Sequence, residues 1–163
     1  MLPRLLPMLA LPAAPFDAPE YSFEVKWDGI RALAAVETSG WRLWGRERAD
    51  YTARYPELDV LRVLPAGTLV DGELVAFAPE GRPDLPRLLR RHGLTDPWRI
   101  RQVRHWCRVQ YLLFDLLYHR GRCLLKEPVT RRRDGLRAAP ELAPGACRAR
   151  PGEASTRMLP APA

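Results

Sequence analysis

The run Glu24-Val25-Lys26-Trp27-Asp28-Gly29-Ile30-Arg31 sets one amine between two carboxylates and ends on a guanidinium. The sequence has two lysines, Lys26 and Lys126, against 24 arginines. In a chain that takes nearly all its positive charge from arginine, a lysine at such a place has a chemical use. An amine can shed its proton and attack an electrophile, whereas a guanidinium stays protonated. The alternative reading is a surface lysine in a hairpin, since short motifs of this kind also arise by chance.

Other groups able to do chemistry lie further along. Val70-Asp71-Gly72-Glu73-Leu74-Val75 carries two acids, and Asp115 interrupts the apolar run from Val109 to Tyr118 beside Phe114. A carboxylate inside a buried strand needs a partner or a function. Taken singly, Glu73 reads equally as a surface strand residue, Phe114 as core packing, and Asp28 and Asp71 as turn formers. His92, His105 and His119 lack the i, i+4 spacing of a helical metal site and read as structural or surface residues. Cys107, Cys123 and Cys147 fit neither a disulfide framework nor a CxxC metal pair, so reduced thiols in a cytosol are expected.

The elements that must position these groups follow from period and punctuation. Tyr21 to Trp27 alternates, with Phe23, Val25 and Trp27 opposite Ser22, Glu24 and Lys26, which predicts a half-buried strand. Asp28-Gly29 predicts a hairpin into a strand over Ile30 to Glu37, and Thr38-Ser39-Gly40 a second turn into Trp41 to Gly45. A helix is expected from Tyr55-Pro56 to about Leu64, then a strand pair over Thr68 to Phe77 broken at Asp71-Gly72. Pro83 to His92 predicts a helix capped by Asp84 and stopped by Gly93, with Arg87, Arg90 and Arg91 on its basic face. That face reads as solvent or as nucleic-acid contact. Arg99 to Arg108, interleaved with Trp98 and Trp106, either follows a phosphate backbone or joins two elements. Val109 to Tyr118 predicts a strand buried on both faces, and Thr130 to Ala139 a helix bearing Arg131, Arg132, Arg133 and Arg137. Pro140 onward has no period, so 140–163 is expected to be disordered.

Bulk properties agree with one domain. The chain has 163 residues, 47% hydrophobic and 28% charged, with 17 prolines and a net charge of +7 that favours a polyanionic partner. Three prolines interrupt the apolar N-terminal stretch, which argues against a secretory signal, and no run approaches the ~18 apolar residues of a membrane span.

Four segments together resemble one family. Glu24 to Arg31 is similar to motif I (KxDGxR) of the covalent nucleotidyltransferases: ATP-dependent DNA ligases, RNA ligases and capping enzymes. Arg46 with Tyr51-Thr52-Ala53-Arg54-Tyr55-Pro56-Glu57-Leu58 resembles the next block of the DNA ligases. Val70 to Val75 looks like motif III, and Tyr111 to Leu117 like motif IIIa, in matching order. Leu6-Pro7-Met8-Leu9-Ala10 resembles the corresponding segment of bacterial end-joining ligases.

The resemblance implies an α+β fold, with antiparallel β-sheets flanked by helices around a nucleotide cleft. It implies a proline-rich segment at 1–15, a partial ligase adenylation domain at 16–139 and a tail at 140–163. It implies ATP as AMP donor, with Mg²⁺ (or Mn²⁺) on the phosphates and no residue assigned as a metal ligand. Lys26 would take AMP as a phosphoramide and pass it to the 5′-phosphate of a nick, which the 3′-hydroxyl then seals. Glu24 would line the adenine side, Arg31 would contact ribose or phosphate, and Glu73 would engage the ribose. Phe114 would stack on the base and Arg46 would face phosphates, with Asp28 and Gly29 supporting the lysine. The implied partner is nicked double-stranded DNA, met by a monomer in the bacterial cytosol without membrane contact; end-joining partners stay unassigned.

The resemblance covers about residues 5 to 139. The sequence has no EGxV-like motif IV and no motif V with paired lysines; Asp134-Gly135-Leu136 and Lys126 do not replace them. It therefore reads as roughly the first two-thirds of an adenylation domain, expected to adenylylate Lys26 very weakly or not at all alone and not to seal nicks. Open sheet edges make aggregation a further expectation. Beside the DNA ligase reading stand a non-catalytic remnant that binds DNA or nucleotide, and an RNA ligase or capping-type enzyme.

Overall fold

Gly40 takes a φ of 138°, a backbone state that side-chain-bearing residues avoid, and reverses the chain where the sequence predicts a turn. The strands it joins, β1 (Ile30–Glu37) and β2 (Gly40–Trp44), pair antiparallel with Val36 opposite Trp41. The computed structural model describes residues 1–19 and 21–139, and the backbone of 146–148. It continues the sheet with β3 (Thr68–Ala76), β4 (Val109–His119) and β5 (Arg122–Cys123), in the order β2-β1-β3-β4-β5 with antiparallel neighbours. A short β6 (Ala146–Arg148) adds to β4 in parallel. Within the tail expected to be disordered, these three residues are strand instead; its other residues lie outside the described ones.

Alternation along the strands sorts the side chains into two faces. Ala32, Ala34, Val36, Val70, Leu74, Tyr111 and Leu113 form the main core, with Leu58 and Leu61 from the segment Pro56–Val63 and Leu88 from helix α1 (Leu85–His92). Pro56–Val63 lies where a helix is expected, with the tighter 3-10 geometry. On the opposite face Leu33, Ala35, Leu69, Trp44 and Leu117 gather around Leu2. Trp44 donates its indole N–H to the Leu5 carbonyl at 2.8 Å, so the N-terminal segment is strapped over this end of the sheet. Beyond that strap, the same face carries Arg31, Asp71 and Glu73.

Asp84 caps α1 as expected, its carboxylate accepting from the Arg87 backbone N–H at 2.8 Å. Asp84→Ala should cost about 1 kcal/mol in a urea unfolding series, the usual value of such a cap. Helix α2 (Pro97–Val103) follows, with Trp98 exposed at its start, and α3 (Val129–Ala138) returns against β4. The expected basic face of α1 is broken at Arg91, which is 1% exposed. Its guanidinium lies 3.2 Å from Glu57 and over the Tyr55 ring, so pairing and stacking draw it inward. Among the described residues, no helix is long and apolar enough to cross a membrane.

Three local expectations fail together. Tyr21 to Trp27 is irregular, not a strand, and pairs with no strand of the sheet. Its aromatic residues pack locally instead, Phe23 against Phe16 and Trp27 against Phe77. Asp28-Gly29 is a bend with no positive φ, and Asp71-Gly72 lies within the unbroken strand β3. Both glycines serve close approach. A Cβ on Gly72 would sit 2.5 Å from the Leu112 carbonyl oxygen and 2.6 Å from the Tyr111 ring.

Candidate active site

Arg31 and Glu73 face each other across β1 and β3, and Asp71 lies two residues along the same face. Arg31 grips Asp71 with two parallel bonds, Nε to Oδ1 at 2.6 Å and Nη2 to Oδ2 at 2.8 Å. This fork–fork geometry fixes the plane of the guanidinium as well as its place. The Arg31 guanidinium also lies over the Phe114 ring, 4.3 Å from its centroid. Phe114 reaches that position through a bulge. Asp71 pairs with Asp115 and Gly72 with Leu113, which leaves Phe114 without a partner in the ladder. An extra residue of this kind re-aims side chains, here turning the aromatic ring toward Arg31.

Burial pushes the Asp71 carboxyl upward, and the Arg31 fork opposes that in part. The Arg31 guanidinium loses some hydration, but the Asp71 bonds outweigh this and its net shift is upward. The two shifts disagree on whether the pair gains by its burial; the short bidentate contact favours an ion pair.

Glu73 is pushed up to about 7, chiefly by burial, with Asp71 adding to the shift and Arg31, Arg46 and Lys26 opposing it. Its folded value lies above the ordinary 4.5. The stability it contributes is therefore complete below the unfolded value and lost as pH rises through about 7. Glu73→Gln should accordingly gain stability relative to the unsubstituted chain between pH 5 and pH 8, read as a widening difference in urea midpoints.

Arg31, Glu73 and Phe114 share one cavity of about 550 Å³. Its wall includes Glu24, Lys26, Asp28, Gly29 and Arg31 from the first motif, together with Arg46, Glu73 and Phe114. The eight residues that the resemblance assigns to the site therefore converge, although Glu24, Lys26 and Asp28 arrive on an irregular segment and not on a strand. Gly29 brings that segment against β3. A Cβ there would collide with the Leu74 carbonyl oxygen and stand 2.8 Å from Glu73 Cγ. The wall also holds residues the motifs did not flag. Arg132 of α3 forks onto Asp115 with two bonds of 2.8 Å, which supplies the partner that a carboxylate in β4 required. Arg133 lies 2.7 Å from Glu24. The run of three arginines in α3 was the available signal, and it read only as a basic helix.

A larger cavity, about 620 Å³, lies under α3 and is lined by Leu116, Arg120, Arg122 and Glu127 among others. It shares only Arg132 with the first and holds neither Lys26 nor Phe114. Size therefore does not mark the site; converging chemistry does. Among the described residues, no group of three or more His, Cys, Asp or Glu side chains is placed to hold a metal ion.

An antiparallel sheet thus brings carboxylates, a forked arginine and an aromatic ring to a lysine-bearing segment, the arrangement that the resemblance to nucleotidyltransferases implies. The family model described as ATP dependent DNA ligase domain matches residues 7–150. The chain belongs to the ATP-dependent DNA ligase family. It is 34% identical over 154 residues to the multifunctional non-homologous end joining protein LigD of Mycobacterium bovis, covering 87% of this chain and 19% of that protein. The ligase domain of LigD from M. tuberculosis superposes with a TM-score of 0.59 at 32% identity, covering 76% of this chain and 41% of that one. A mycobacterial DNA ligase D complexed with ATP and MES gives 0.54 at 33% identity, covering 76% and 40%. The chain thus spans less than half the length of the curated relatives it matches, 41% of one and 19% of another.

Proposed function

We propose that this chain supplies the nucleotide cavity and the attacking amine of ATP-dependent DNA ligation. Lys26 takes AMP from ATP and hands it on to the 5′-phosphate of nicked double-stranded DNA. The observation that carries the reading is the convergence of Lys26, Glu24, Arg31, Arg46, Glu73 and Phe114 on one cavity of about 550 Å³. That volume lies within the usual range for small-molecule sites. The family match and the neighbour complexed with ATP support the same reading.

Each side chain has work that its surroundings suit. Phe114 offers a ring face for a base, and Glu73 a carboxyl that both accepts and donates near neutral pH. Arg31, locked by Asp71, presents fixed N–H groups and positive charge. Arg46, exposed at the cavity wall, is open to phosphate. The Lys26 amine forms the new N–P bond as the bond to the departing pyrophosphate breaks. Mg²⁺ or Mn²⁺, when bound on the phosphates, would spread their charge. Of the wall's carboxylates, Glu24 and Asp115 are paired with arginines, which leaves Asp28 and Glu73 as those that could share it.

The absence of an EGxV motif and of a paired-lysine motif from the 163 residues makes the reaction slow in this chain by itself. Loss of one charged group that acts at a transition state commonly costs about 10² or more in rate. Incubation with α-labelled ATP and Mg²⁺ should give only trace label, confined to Lys26, and Lys26→Arg should abolish it. Label that survives Lys26→Arg would refute the assignment. The second reading, a DNA-binding remnant, draws on the net charge of +7. It predicts DNA affinity that falls steeply with salt and no label at all.

A further inference from the structure

Lys26 sits on a stretch that the sheet does not hold. Among the described residues, no backbone–backbone hydrogen bond involves Ser22 through Asp28. The ladder between β1 and β3 begins only at Ile30 and Leu74. A reacting group needs a firmer hold than that, because misplacement by about 1 Å can cost about 10²-fold in rate.

Side chains supply the hold. Arg133 on α3 donates from Nη1 to Ser22 Oγ at 2.8 Å, and its Nη2 lies 2.7 Å from Glu24 Oε1. Ser22 and Glu24 stand four and two residues before Lys26. The pair is shielded, with 17% side-chain exposure at Arg133 and 31% at Glu24. The third nitrogen of Arg133, Nε, is buried and has no hydrogen-bond partner among the described residues, so Ser22 and Glu24 are the contacts that hold the guanidinium. The preceding residue, Arg132, forks onto Asp115, next to Phe114. Two consecutive arginines of one helix therefore tie the lysine segment to the strand that presents the aromatic ring.

We infer that Arg133 is a positioning residue for the adenylylation proposed above, on which this inference rests. It fixes Ser22 and Glu24, and through them the reach of Lys26 and the acceptor that Glu24 offers to the base. With Oε1 engaged by Arg133, the carboxylate can turn only within limits, and its cavity-wall oxygen accepts from the 6-amino group of adenine. The 6-oxo group of guanine offers that oxygen no donor and repels it. Arg133 thus governs base preference through Glu24.

Titration calorimetry on the full 163-residue chain with ATP, GTP and inorganic tripolyphosphate tests this. Arg133→Ala should weaken ATP binding about tenfold and erase the preference for ATP over GTP, while tripolyphosphate binding changes less than about threefold. Arg133→Lys should restore part of the preference. Arg131→Ala, at an exposed position of the same helix facing Glu127, should match the unsubstituted chain. Unchanged ATP preference in Arg133→Ala overturns the inference, as does an equal loss of ATP and tripolyphosphate by a folded variant, which is what mere structural support would give. Should Arg133→Ala fail to fold, Arg133→Met removes the charge at similar length and leaves Glu24 in place; lost preference supports the inference and retained preference overturns it. An unsubstituted chain that binds no ATP refutes the proposed function, and this inference with it. A competent chain with an indifferent Arg133→Ala refutes the inference alone.

Discussion

Asp71→Ala should lower the unfolding free energy by about 3 kcal/mol, toward the lower end of the range for breaking a buried ion pair. Asp71 is 4% exposed, and its carboxylate holds both prongs of the Arg31 fork. Removing it leaves a guanidinium with 24% side-chain exposure and no carboxylate bonded to it. That residual access to water keeps the cost from the top of the range. The consequence for the site follows from the same bond. Without Asp71 the Arg31 plane is free to turn off the Phe114 ring, so nucleotide affinity should fall together with stability. Asp71→Asn, which keeps shape and one acceptor, should lose about half as much. Urea unfolding of the three chains measures the series; equal stability of Asp71→Ala and the unsubstituted chain would mean that the fork carries no net free energy.

Gly29→Ala should be at least as damaging, for a steric reason. The added methyl would collide with the Leu74 carbonyl oxygen, a backbone atom of the central strand β3, and would also meet Val75 Cγ2 at 3.1 Å. Backbone in the middle of a ladder cannot step aside without breaking pairs, so the lysine segment must lift away. Overpacking of this kind costs about 1–3 kcal/mol and more where the obstacle is rigid. Gly93→Ala is the matched control, since a Cβ there has only ordinary contacts at 3.6 and 3.8 Å. Thermal melting should show a large drop for the first and little change for the second. In the first, Lys26 should also lose its capacity for label even where the fold survives at low temperature.

The sequence made the order of elements legible because most were written in strong local signals. Asp84 before and Gly93 after an apolar repeat bracketed α1, and Thr38-Ser39-Gly40 marked a reversal where a positive φ is needed. Sequence and structure part where a local signal has two physical causes. Aspartate followed by glycine predicts a turn at both 28–29 and 71–72. Each glycine instead makes room for a neighbouring backbone, a need that only the packed structure reveals. The alternation of Tyr21 to Trp27 likewise presupposed pairing with a neighbouring strand, and the segment packs its aromatic rings locally instead. Glu24, Lys26, Arg31, Arg46, Glu73 and Phe114 were found through motif order, and one cavity gathers them. Arg132 and Arg133 stayed hidden, because a row of arginines on a helix does not disclose which of them meet carboxylates across the fold. Arg91 was missed for the same reason: its partner Glu57 lies 34 positions away in the chain.

A crystal structure of the chain with a non-hydrolysable ATP analogue tests the central claim most directly. The account predicts the base against Phe114, the ribose within reach of Glu73, and the phosphates at Lys26 and Arg46. An analogue lodged instead beneath α3, among Arg120, Arg122 and Glu127, with the Lys26 cavity empty, would contradict it.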